Sequence, residues 1–207
     1  KGNYNSTINR MNDGQRKSWD AVYDKMNAQF IQDYPSMSEQ DKMRWRYQRY
    51  MQDYLGCIAS VDDGIGQVLD FLKENGLEKN TMVIYTSDQG FYLGEHGWFD
   101  KRFIYDQSFK TPLLIKWPSV IKPGIRNTKM VQNLDFAQTI LEAAGLQAPM
   151  DMQGESLIPL FKGKDENFRD AAYYHYYEYP SVHMVKRHYG IVTEKFKLIH
   201  FYHDIDE

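Results

Sequence analysis

The sequence predicts an α/β fold, a parallel-rich sheet flanked by helices in a doubly wound pattern, with a small antiparallel α+β subdomain toward the carboxy-terminal end. Three observations predict it. A long apolar stripe at helical spacing runs straight into a short β-branched segment at 81–87. A second such segment at 112–117 is followed by a helical pattern at 135–144. The chain then turns loop-rich from about 151 before a stretch dense in aromatic residues. A boundary after residue 150 separates the two parts, 1–150 and 151–207.

After a polar, Asn-rich entry, Ser18 is placed to cap a helix whose apolar positions Trp19, Val22, Tyr23, Met26 and Phe30 fall on one face, and Pro35 lies just past its end. Ser36 with Glu39 fits a capping box and opens a second helix, along which Met51, Tyr54, Leu55, Ile58, Ile65, Val68, Leu69 and Leu72 form one stripe. Gly76 ends that helix, and Gly56, Gly64 and Gly66 predict a kink or a break inside it. The segment 81–87 is apolar on both faces, as a strand in mid-sheet is, and PLLIKW at 112–117 reads the same way; helix followed by buried strand predicts parallel pairing. A helix over 135–144 is closed by Gly145. Pro149, Gly154, Pro159 and Gly163 punctuate the loop-rich passage. Strands at 189–192 and 196–202 flank Thr193-Glu194-Lys195 as a hairpin, within a subdomain that starts near Phe168. There is no internal repeat and no low-complexity tract.

Composition is that of a globular chain. A formal net charge of −3 gives no general attraction to nucleic acid or to an anionic membrane. No apolar run approaches the roughly 20 residues of a membrane-spanning helix, and KGNYNSTINR lacks the apolar segment of a signal peptide. The single cysteine, Cys57, excludes an internal disulfide framework. The first residue is not Met and DIDE follows abruptly on an aromatic run, which reads as a piece of a longer protein.

The chemistry concentrates where the first strand ends. In open α/β sheets ligands gather beyond the carboxyl ends of strands, and Asp88 and Gln89 stand there, with Gly90 letting the backbone turn tightly. A carboxylate beside an amide carbonyl offers two hard oxygen donors of the kind Ca²⁺ or Mg²⁺ prefers, although Ca²⁺ takes about six to eight. The alternative is that Asp88 caps a turn and Gln89 is solvated. Cys57, followed by Ile-Ala-Ser in an apolar helical stripe, reads as an inert thiol. Asp62 and Asp63 point about 100° apart on a helix and do not clamp one ion.

The run TSDQGFYLGEHGWFDKR at 86–102 resembles the sulfatase family, whose members share a Ser/Thr-Asp-(His/Asn/Gln)-Gly turn followed by Leu-Gly-Glu-His-Gly and a Lys. SVDDGIGQVLDFL, TPLLIKWP, DFAQTILEAAG with GESLIPLF, and the tail at 173–202 extend the likeness over most of the chain from about Tyr50. The resemblance implies an alkaline-phosphatase-like fold in which a Cys-derived formylglycine, hydrated to a gem-diol, attacks sulfur beside a bound Ca²⁺, or Mg²⁺. It implies that Asp88 and Gln89 are metal ligands and that Lys101 contacts the sulfate ester and its leaving oxygen. His96 stands either at the edge of the active site or in a structural hydrogen bond. The family's Cys-x-Pro-Ser-Arg nucleophile motif, its amino-terminal Asp pair and a further His are not in this sequence, so residues 1–150 correspond to the later part of a catalytic domain and catalysis needs the amino-terminal half.

Asp100 and Arg102 flank Lys101 and are candidates for sugar contacts, or form a surface ion pair. Tyr173, His175 and Tyr177 share one strand face, Tyr174 and Tyr176 the other, suited to stacking on a sugar or to packing a small sheet. His183, Lys186, Arg187 and His188 form a basic cluster suited to an anionic polysaccharide or to solvent. The tail resembles that of glycan sulfatases, including glucosamine-6-sulfatases, which implies a sulfated carbohydrate substrate and a periplasmic, secreted or lysosomal setting. Two rivals stand beside this reading: a phosphatase or phosphodiesterase of the same superfold, and a non-catalytic glycan-binding module. Unpaired sheet edges predict poor solubility of the piece alone.

Overall fold

A computed structural model describes residues 2–164 and 166–202; Lys1, Asp165 and residues 203–207, the DIDE run among them, lie outside the description. The chain forms two compact units, Lys1–Leu69 and Asp70–Glu207, so residues 70–150 and the aromatic stretch belong to one unit.

The first unit holds helix α1 (Gly2–Ile8), helix α2 (Asp13–Asp33) and most of helix α3 (Glu39–Glu74). Helix α2 is capped by Asn12, six residues before the expected cap at Ser18, because Asn12 and Gln15 satisfy each other's backbone: Gln15 N donates to Asn12 Oδ1 at 2.9 Å and Asn12 N donates to Gln15 Oε1 at 3.0 Å. The next cap also shifts. Ser36 sits in a 3₁₀ turn, its hydroxyl donating to the Asp33 carbonyl, while Ser38 Oγ accepts from Asp41 N at 3.1 Å and so opens α3. Helices α2 and α3 pack through aromatic rings, Phe30 stacking on Trp45 at 3.8 Å and the Arg49 guanidinium lying 4.6 Å over Tyr23.

Helix α3 runs without interruption through Gly56, Gly64 and Gly66, against the expected kink. Its hydrogen-bonded ladder and apolar flanks outweigh three glycines at about 1 kcal/mol each. The stripe on it is only partly covered: Leu55, Ile58 and Val68 are exposed, whereas Met51, Tyr54, Ile65, Leu69 and Leu72 are half-buried. Gly76, at φ 70°, closes the helix as expected, with Leu77 N reaching back to the Leu72 carbonyl at 2.8 Å.

In the second unit, strand β1 (Val83–Thr86) pairs with strand β2 (Leu113–Lys116) in an antiparallel ladder, Val83 opposite Lys116 and Thr86 opposite Leu113. The parallel pairing expected for these strands is thus corrected. Between them lie only short turns and the four-residue helix α4 (Asp106–Phe109), not the helical crossover that parallel neighbours require. Nor are the strands buried on both faces, since Leu114 keeps 61% of its surface. Helix α5 (Asp135–Ala143) ends at Gly145 as expected and carries its buried polar residues, Asp135, Gln138 and Thr139, inward. The one-turn helix α6 (Ile158–Phe161) follows.

Strands β3 (Ala171–Tyr176), β4 (His188–Thr193) and β5 (Lys197–Phe201) form an antiparallel sheet in that order; the expected hairpin is present, its connection at Glu194-Lys195-Phe196, one residue later than Thr193-Glu194-Lys195 because Thr193 ends β4 and its N–H donates to the Phe196 carbonyl. Ala172, Val192 and His188 on one face are buried, and Tyr174 packs against Phe109 and His188 there. Tyr173 and Tyr177 on the opposite face stay exposed.

Candidate active site

The turn after β1 is built by close backbone approach. Ser87 Oγ donates to the Gln89 carbonyl at 2.7 Å, and Gly90 N donates to the Ser108 carbonyl at 2.8 Å. A Cβ at Gly90 would lie 2.0 Å from the Gln107 carbonyl oxygen, so only glycine lets the turn press against α4. Asp88 and Gln89 are thereby fixed at the end of β1. The other flank of the turn is held by Asn133, whose Nδ2 donates to the Asp88 carbonyl at 2.9 Å.

The segment that follows doubles back. Tyr92 N donates to the Asp100 carbonyl at 2.7 Å and Gly94 N to the Trp98 carbonyl at 2.9 Å, closing a loop whose tip runs through Gly94, His96 and Gly97 at positive φ. Glu95 steadies the tip by accepting from Leu93 N at 2.6 Å. The Leu-Gly-Glu-His-Gly run is therefore the reversal that returns Lys101 beside Tyr92. Tyr92 is fully buried and acts as the internal strut: its hydroxyl donates to the Phe103 carbonyl and meets Ser108 Oγ at 2.9 Å, while burial pushes its own pKa up.

These two pieces face one cleft of about 1090 Å³, lined by Asp88, Gln89, Lys101, Asn133, Arg169 and His175 among others. The three residues singled out first, Asp88, Gln89 and Lys101, thus line the same cavity. His175 also lines it, each ring nitrogen engaged by a tyrosine hydroxyl, Tyr173 at 3.1 Å and Tyr202 at 2.6 Å.

The remaining candidates are placed otherwise. His96 packs in an aromatic cage with Tyr105 at 4.7 Å, Trp98 at 5.8 Å and Tyr92 at 5.9 Å and does not line the cleft. Asp100 and Arg102 form an ion pair, and Arg102 Nε lies 3.7 Å from Glu178; neither residue of the pair lines the cleft. His183 is exposed, outside the cleft. His188, counted in the basic cluster, is fully buried, and that burial lowers its pKa; with Nδ1 against the Lys186 carbonyl, its Nε2 has no hydrogen-bond partner among the described residues. It is a core residue, because Tyr174, Tyr176, Phe103 and Phe201 surround it.

Asp88 and Gln89 supply a carboxylate and an amide oxygen at one cleft wall, a donor set that fits a hard divalent cation and fills part of its shell. Among the described residues no cluster of three His, Cys, Asp or Glu side chains completes it.

Sequence reasoning missed the supports. Asn133, Ser108 and the buried pair Asp135–Arg169 carry no motif signal, and Tyr92, although inside the run at 86–102, shows nothing there of its role as a strut, since each acts through a partner distant in sequence. The one hint is Gln132-Asn133 immediately before the helical pattern, a polar pair where a helix start needs its N–H groups satisfied.

The chain matches the family described as "Sulfatase" over residues 14–146 and "N-sulphoglucosamine sulphohydrolase, C-terminal" over residues 94–207. It is 48% identical over 207 residues to an N-acetylglucosamine-6-O-sulfatase of Bacteroides thetaiotaomicron, covering 98% of this chain and 36% of that protein. In structure it resembles BT4656, solved in complex with its substrate D-glucosamine-2-N,6-O-disulfate, at a TM-score of 0.88 and 47% identity over 98% of this chain and 41% of that one. A phosphonate monoester hydrolase of Silicibacter pomeroyi superposes at a TM-score of 0.70 with 27% identity, over 83% of this chain and 36% of that one. The chain thus spans little more than a third of the length of its relatives. The fold is alkaline-phosphatase-like, and the chain belongs to the sulfatase family.

Proposed function

We propose that the whole protein hydrolyses sulfate esters on amino sugars, glucosamine 6-sulfates foremost, using Ca²⁺ and a formylglycine supplied by the amino-terminal half. The observation that carries the reading is the convergence of Asp88, Gln89 and Lys101 on one cleft. Sulfuryl transfer builds negative charge on the equatorial and bridging oxygens, and the bound cation supplies charge stabilisation there. Asp88 and Gln89 hold it by their side-chain oxygens. Lys101 places an ammonium where the bridging oxygen gathers charge as its bond to sulfur breaks. His96 braces the loop that carries Lys101 through its aromatic cage, at the edge of the site.

His175 forms part of the cleft wall against the sugar, while Asp100 and Arg102, paired with each other outside the cleft lining, and the exposed His183 meet only a longer anionic glycan that extends past the cleft. The exposed apolar residues of α3, Leu55, Ile58 and Val68, and the half-exposed strands seat the amino-terminal half, with residues 1–150 completing its catalytic domain and 151–207 opening the small subdomain. No helix of the described residues is long and apolar enough to cross a membrane. Relatives that act on glycans support a periplasmic, secreted or lysosomal setting.

The test uses the full-length protein with N-acetylglucosamine 6-sulfate, p-nitrophenyl sulfate and p-nitrophenyl phosphate. Sulfate release is expected to dominate, and Lys101→Ala to lower kcat/KM by roughly 10²-fold or more. Equal rates for wild type and Lys101→Ala would refute the role of the lysine. The likeness to a phosphonate monoester hydrolase favours a second reading, phosphoryl transfer, which a preference for the phosphate would establish.

A further inference from the structure

We infer that Asn133 is a positioning residue for the two candidate metal ligands, locking the peptide plane that joins them. The inference rests on the reading of Asp88 and Gln89 as Ca²⁺ ligands. Asn133 Nδ2 donates to the Asp88 carbonyl at 2.9 Å across 45 positions of sequence. That carbonyl belongs to the peptide linking Asp88 to Gln89, so the bond fixes the direction in which each ligand leaves the backbone relative to the other. Only the amide's N–H end can face a carbonyl oxygen, which settles the orientation of the Asn133 side chain chemically.

The other tethers of the turn, Ser87 Oγ on the Gln89 carbonyl and Gly90 N on the Ser108 carbonyl, engage the peptide group that follows and make no hydrogen bond to the carbonyl of the peptide joining the two ligands. Asn133 is itself firmly held. Its own carbonyl accepts from Phe136 N at 3.3 Å in the first turn of α5, and Gln132 N before it donates to Asp135 Oδ2 at 2.7 Å. Asp135 is fully buried and bound by Arg169 and by Glu155 N. A rigid path therefore runs from a buried ion pair to the ligand turn. Partners that orient ligands without touching the metal typically carry 10- to 100-fold of its affinity.

The full-length protein, stripped with a chelator, is titrated with CaCl₂ by calorimetry, and its melting temperature is measured metal-free. Asn133→Leu, similar in shape but without a donor, is expected to bind Ca²⁺ about 10- to 100-fold more weakly, with a metal-free melting temperature within about 2 °C of wild type, since the residue is exposed. Asn133→Gln retains the amide and is expected to recover part of the affinity. Wild-type affinity in Asn133→Leu overturns the inference alone, and so does a lowered metal-free melting temperature with unchanged affinity, which marks a merely structural bond. A wild-type protein that binds no Ca²⁺ overturns the metal reading and the inference with it.

Discussion

Replacing Arg169 by Met is expected to destabilise the full-length protein by about 3 kcal/mol, because it strands a carboxylate that water cannot reach. Asp135 has no exposed side-chain surface. Its two oxygens accept from Arg169 Nη1 at 2.5 Å and Nη2 at 2.7 Å, from Gln132 N at 2.7 Å and from Glu155 N at 2.9 Å. Breaking a buried ion pair on one side costs about 3–5 kcal/mol. Two backbone donors stay in place here, which puts the expectation at the lower end. The second contact of Arg169, to Glu155 at 3.3 Å, involves a carboxylate that is nearly half exposed and adds less than about 1 kcal/mol. Met preserves much of the arginine's apolar volume, so a cavity does not dominate. The assay is urea unfolding at pH 7, with Asp135→Asn combined with Arg169→Met as the control. Removing the charge from both sides is expected to recover about 1–2 kcal/mol relative to Arg169→Met alone. A cost below about 1 kcal/mol for Arg169→Met, or a double variant less stable than the sum of the singles, would refute the reasoning.

Gly90→Ala is expected to cost roughly 10²-fold in kcat/KM, since its Cβ meets the Gln107 carbonyl at 2.0 Å and the ligand turn must retreat from α4; a rate within threefold of wild type contradicts the packing described. His188 gives a pH dependence of stability. Burial lowers its folded pKa below the ordinary 6.5, so the unfolded chain binds the proton more readily. Stability from this group is therefore full above about pH 6.5 and is lost as the pH falls below it, by up to about 1.4 kcal/mol over the first unit. Urea midpoints at pH 7.5 and 5.5 are expected to differ more in wild type than in His188→Phe, and parallel shifts would assign the slope to other groups.

Local signals in the sequence place most elements. Gly76 and Gly145, both at positive φ, stop α3 and α5 where a glycine lets the chain leave a helix, and the polar run at 193–195 marks the β4–β5 hairpin to within one residue. The errors have a common cause. Ser18 and Ser36 are plausible caps, but Asn12 and Ser38 win because their side chains find a backbone N–H three residues on, a competition between neighbours that residue preference does not rank. The direction of pairing between β1 and β2 depends on the path of residues 87–112, and an apolar strand looks the same whichever way its neighbour runs.

The candidate site divides along the same line. Asp88, Gln89 and Lys101 are legible because they lie within 14 residues of one another in a stretch whose order is itself the reversal that gathers them. The loop from Tyr92 to Asp100 is a covalent tether, so the approach of Lys101 to the turn is a local event. What decides whether the two ligands point together is remote: a glycine pressed on Gln107, an amide from Asn133, and an ion pair between Asp135 and Arg169, 34 residues apart. None of these supports has chemistry of its own to advertise. Each is an ordinary polar or small residue whose role exists only once the backbone has brought its partner within 3 Å. A sequence therefore tells which atoms can react sooner than it tells what holds them at a reactive angle, and loss of aim is where the substitutions at Gly90 and Asn133 are expected to act while every reacting side chain stays in place.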